Sequence, residues 1–139
     1  MIRTAIILVL LLAHSVCKAQ ADRPKLFQQF PDTLVCRNDL LQNFFSLAEG
    51  SSVNTMIAPG FTFQGVVSSK AQLPHRQSIV IRSANYPGAT LSFSSVTESG
   101  QQVLRGRIIS FNHADAFEIT FFNGHYYFIK TDFARLVNE

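Results

Sequence analysis

The residue types that could do chemistry gather late in the chain. His113, Asp115, Glu118 and His125 lie close together, and His75 stands apart. Two histidines with two carboxylates are a donor set for zinc or for an acid–base pair. The segment joining them argues against both. Asn123-Gly124 between two β-rich runs predicts a two-residue type I′ hairpin, which pairs 122 with 125, 121 with 126, 119 with 128 and 117 with 130. In that register His125 sits at the turn and His113 beyond the opposite end, about 20 Å away at the strand rise. Such a pair cannot share an ion. Asp115 and Glu118, three apart on a strand, point to opposite faces. We therefore expect no metal and no cofactor, and read His113 and Asp115 as turn residues. The remaining enzymatic reading is a small hydrolase with dispersed catalytic groups, for which His75, His113, Asp115 and Glu118 are the first suspects. No phosphate loop, dinucleotide fingerprint, HExxH, CxxC or nucleophile-elbow pattern supports it, so a non-enzymatic role is preferred.

The same hairpin separates two sheet faces. Continued through a tight turn at His113-Ala114, the register pairs 108 with 119, 107 with 120 and 106 with 121. One face carries Ile108, Phe117, Ile119, Phe121, Tyr126 and Phe128 and reads as core, with Gly106 leaving room opposite Phe121. The other carries Arg105, Arg107, Glu118, Thr120 and Tyr127. Forked guanidinium donors beside a rigid aromatic make that face a candidate partner-binding platform; a plain solvated sheet face is the competing reading. Tyr86, in the loop Asn85-Tyr86-Pro87-Gly88, is a second candidate contact, because rigid sheets often present binding residues on their loops.

Elements that could position these groups follow from the apolar pattern. Leu40, Leu41, Phe44, Phe45, Leu47 and Ala48 recur at helical spacing, with Asn38 or Asp39 as cap, Gln42 completing a capping box and Gly50 as stop. This predicts an amphipathic helix over about 39–49, with a start as early as Thr33. From Val53 the period changes to two, and strands are expected at 52–57, 61–68, 78–83, 90–96, 102–111, 116–122 and 125–131, with loops that include 71–77. Thr131 and the apolar residues at 133, 136 and 137 predict a closing helical turn. The expected fold class is α+β: one N-terminal amphipathic helix packed on an antiparallel meander of six to seven strands.

The start of the chain supplies an address. Arg3, the apolar run Ala5 to Ala13 and the small-residue ending Ala19-Gln20-Ala21 read as a secretory signal peptide over 1–21, leaving a single domain over 22–139. The run is too short to span a bilayer, and Cys17 lacks a lipobox context. Secreted or periplasmic localisation follows, with no membrane span after cleavage. The leader holds Arg3 and Lys18 and no acid, so the rest of the chain balances ten Lys and Arg against nine Asp and Glu. A near-neutral domain with scattered cations is not a nucleic-acid binder. Cys36 is then the only cysteine and reads as an apolar core residue, as do the thirteen Phe. These observations favour an exported binding or accessory module acting through a sheet face or loops on an unknown protein or cell-envelope component. A small ligand carrier with a cavity between helix and sheet is the alternative.

Overall fold

Period-two alternation of apolar and polar residues dominates the chain after Ser52, and it builds strands because successive side chains of an extended backbone point to opposite faces. The computed structural model describes residues 23–138, so the leader assigned to 1–21 lies outside them. In chain order the elements are β1 (Thr33–Val35), α1 (Asn38–Asn43), a 3-10 turn at Phe44–Ser46, β2 (Ser52–Ala58), β3 (Phe61–Leu73), β4 (Arg76–Ser83), β5 (Ala89–Glu98), β6 (Gln101–Ser110), β7 (Asp115–Phe122), β8 (His125–Asp132) and α2 (Phe133–Val137). Strands β2 to β8 form an up-and-down antiparallel meander, and β1 joins the free edge of β8.

The expected α+β class is therefore corrected: the described residues form an eight-stranded antiparallel sheet curled into a half-barrel, with only two short helices among them. The helix expected over 39–49 stops at Asn43. The carbonyls of Phe45 and Leu47 accept bonds from Lys70 Nζ at 2.6 and 3.0 Å, and Leu47 is already extended. Lys70 of β3 thus holds the chain as it leaves the 3-10 turn and becomes extended. The expected caps act elsewhere: Asn38 donates to the Gly124 carbonyl at 3.1 Å, and Asp39 pairs with Arg37 at 3.0 Å. Thr33, read as a possible helix start, opens β1, because Leu34 and Val35 pair with Phe128 and Tyr127 far along the chain.

Two further differences have local causes. The loop expected at 71–77 is a two-residue turn, Pro74-His75, since Leu73 already pairs with Arg76. The register of β7 on β8 is the one read from Asn123-Gly124, both of which have positive φ as a type I′ turn requires. The register of β6 on β7 is not: Arg107 pairs with Glu118 and Ile108 with Phe117. The link is the longer loop Phe111 to Ala114, whose amides bond Ser110 and Pro24, and it shifts the pairing by two residues. Side chains keep their faces, but Phe121 runs past the end of the core and is 58% exposed. Gly106 makes room for Phe93 and Ile119 instead.

The inner face of the half-barrel holds the core, in which Phe27, Phe61, Phe63, Phe93, Phe117 and Phe128 are fully buried. Its two edges are tied at one point. The amide of Cys36 bonds the Tyr126 carbonyl of β8 at 2.8 Å, and the next amide, Arg37, bonds Ile57 of β2 at 3.0 Å. Ile57 is available because the register slips between Met56 and Ala58, a bulge that leaves its carbonyl outside the ladder. The segment before β1 crosses the open side and inserts Phe27 and Phe30 against Phe61 and Tyr86. It is anchored by the Asp115 carboxylate, which accepts from the amides of Leu26 and Phe27 at 2.6 and 2.9 Å.

Candidate functional site

Strand register decides which polar side chains meet on the outer face. Arg76 and Ser78 alternate with buried Ile79 and Ile81 on β4, Ser92 and Ser94 alternate with buried Leu91 and Phe93 on β5, and Arg105 and Arg107 alternate with buried Leu104 and Ile108 on β6. Pairing sets them in rows: Ser78 beside Ser94 beside Arg105, then Val80 beside Ser92 beside Arg107 beside Glu118. Together with Gly106 and Leu136 of α2 they line an open groove of about 420 Å³. The groove exists because the outward positions of its floor are serines while its walls are long side chains. Leu136 stands at its margin because α2 folds over the outer face and buries Phe133 and Leu136 against Ile109 and Ala116.

The electrostatics of the groove favour an anion. Three arginines line it against one carboxylate, Glu118, and that carboxylate is engaged by Arg135 at 3.2 Å. Arg105 forms an exposed pair with Glu98 at 2.9 Å. The guanidinium groups of Arg76 and Arg107 have no ion-pair or hydrogen-bond partner among the described residues. Exposed pairs such as Arg105–Glu98 are worth about 0–1 kcal/mol, so an incoming acid can compete for that arginine.

The structure thus brings Arg105, Arg107 and Glu118 together and separates them from the other residues singled out in the sequence. Thr120 and Tyr127 pair with each other across β7 and β8, within a mostly apolar hollow shared with Thr33, Phe121, Phe122 and Ile129. Tyr86 is 8% exposed; its ring stacks on Phe61 at 5.2 Å and its hydroxyl donates to the Thr62 carbonyl at 3.0 Å. Burial pushes the Tyr86 phenol above its ordinary value, against a side-chain hydrogen bond with Asn85. The loop carrying it faces inward because a half-barrel needs rings to fill its interior. Sequence reading missed Arg76, Ser78, Ser92 and Ser94. Their alternation with apolar neighbours was visible, but their meeting depends on the registers of β4 with β5 and of β5 with β6.

The residues suspected of hydrolysis do not converge. His75 lies in the β3–β4 turn, where its carbonyl accepts from Thr97, and His113 lies past the opposite end of β6, roughly 25 Å away along the strands. His113 Nδ1 is 2.8 Å from Ser110 Oγ, but Ser110 is fully buried and Asp115, 2% exposed, spends its carboxylate on two amides. Register also sets His113 and His125 at opposite ends of the β7–β8 hairpin. Among the described residues no three His, Cys, Asp or Glu side chains stand close enough to hold a metal, and no helix is long and apolar enough to cross a membrane. No protein-family model, curated protein or solved structure matches this chain, so the chemistry of the groove rests on its own side chains.

Proposed function

We propose that this protein is an exported, non-enzymatic binding module that recognises an anionic surface of a protein or envelope partner through the outer face of its sheet. The observation that carries the reading is the groove with three arginines, two of them without partners among the described residues, over a floor of serine hydroxyls. Guanidinium groups held on a rigid sheet bind carboxylate or phosphate by paired, charge-assisted hydrogen bonds. The carrier reading draws less support, because the inner face is occupied by rings: Phe27, Phe61, Phe117 and Phe128 pack with centroid separations of 4.9 to 6.3 Å.

The test is the Arg105→Ala/Arg107→Ala double variant. Both side chains are exposed, so thermal stability should change little, by about 1 kcal/mol or less. Partner capture from the native compartment should be strong with the unaltered protein, fall with salt and be lost in the variant. A folded variant that retains the partner at unchanged affinity refutes the assignment and moves attention to the hollow around Tyr127.

A further inference from the structure

We propose that the outer groove binds an extended acidic peptide segment of a protein partner, with carboxylates on alternate residues running alongside β6. This rests on the binding-module reading and names its ligand class.

The argument is one of spacing. Arg105 and Arg107 are two residues apart on one strand, which sets their Cα atoms about 6.8 Å apart. An extended peptide repeats its same-side side chains at that same interval, so acids at alternate positions meet one guanidinium each. A guanidinium fork takes a carboxylate through two parallel hydrogen bonds. Arg76 adds a third cation on β4, two strands from β6 and in the row next to Ser78 and Ser94. Adjacent strands lie about 4.8 Å apart, so the three cations are spread over a wide area and do not converge on one point. That spread suits several charges along a chain better than one compact oxyanion. The floor adds short-reach hydroxyls at Ser92 and Ser94, which leave the backbone of a bound segment close to the sheet. Glu118, the one acid in the lining, faces Arg107 across the ladder but is drawn to Arg135 of α2, which reduces its repulsion of an acidic ligand.

Fluorescence anisotropy with two labelled peptides of identical composition tests this: one alternates Glu with Ser, and the other gathers the same Glu residues into a block. The alternating peptide should bind about tenfold more tightly, the factor for engaging two exposed bidentate pairs in place of a diffuse field. Arg105→Ala/Arg107→Ala should abolish that preference. Arg105→Lys/Arg107→Lys, which keeps charge and loses the fork, should reduce it to near parity. Equal binding of the two peptides, or displacement by inorganic phosphate at the same concentration as by peptide, overturns the proposal. So does failure of both peptides to bind; if partner capture then still requires the two arginines, the binding-module reading survives and only the ligand class is wrong.

Discussion

Replacing Asp115 with alanine should be the most damaging single polar substitution in this protein, because one buried carboxylate anchors the segment that closes the half-barrel. Asp115 is 2% exposed and accepts from the amides of Leu26 and Phe27 at 2.6 and 2.9 Å. Removing it leaves two donors without partners, each costing about 1–3 kcal/mol when buried. The Leu26 amide is half-buried and can recruit water, so its share is about 1 kcal/mol; the Phe27 amide is buried and falls nearer 2–3 kcal/mol. The expected loss is about 3–4 kcal/mol, a large fraction of the 5–15 kcal/mol typical of a domain. Asp115→Asn keeps one acceptor oxygen and should cost about half as much. Urea unfolding followed by circular dichroism measures both, and amide exchange at Leu26 and Phe27 should speed up in parallel. Should Asp115→Ala lose less than about 1 kcal/mol, with slow exchange at Phe27 intact, the carboxylate does not anchor the segment.

Gly106→Ala should destabilise by about 1–3 kcal/mol through overpacking, since a Cβ there would lie 2.6 Å from a Phe93 ring carbon and 2.9 Å from an Ile119 methyl; a thermal midpoint equal to that of the unaltered protein would show that the β5–β6–β7 packing can yield. Cys36 is 4% exposed and burial pushes its thiol up to about 12, against a backbone hydrogen bond from Phe128, so a thiol reagent should label it slowly in the native protein and quickly in denaturant. The same shift makes stability depend on pH. Below the ordinary value of 9.0 both states keep the proton and the contribution is intact, whereas toward about 12 the unfolded chain ionises first and stability is lost. The slope is at most about 1.4 kcal/mol per pH unit; Cys36→Ala should flatten the decline in urea midpoint just above pH 9, and an unchanged decline would assign it to Tyr86 or other groups.

Strand positions and faces were legible in the sequence wherever the signal was local. Period two in Leu91-Ser92-Phe93-Ser94 fixes which residues face inward, and the positive-φ pair Asn123-Gly124 sets the β7–β8 register, because both depend only on neighbours along the chain. Alternation likewise assigns Arg105, Arg107 and Glu118 to one face, and the two-residue shift between β6 and β7 leaves that assignment intact because faces repeat every second residue. What lay beyond local reading was every decision made between distant segments. Leu34 and Val35 become a strand only because β8 offers an open edge, and the predicted helix gives way at Asn43 to a 3-10 turn held from another strand by Lys70. Tyr86, at a loop tip by sequence, is drawn inward because a curled sheet must fill its interior with rings. Composition and alternation determined an antiparallel sheet with a phenylalanine core and a polar outer face. Only the tertiary structure decided that the sheet curls, that Arg76 shares a serine-floored groove with Arg105 and Arg107, and that Asp115 serves the backbone. Each of those outcomes depends on register and closure, free energies shared between segments that no local stretch of residues specifies.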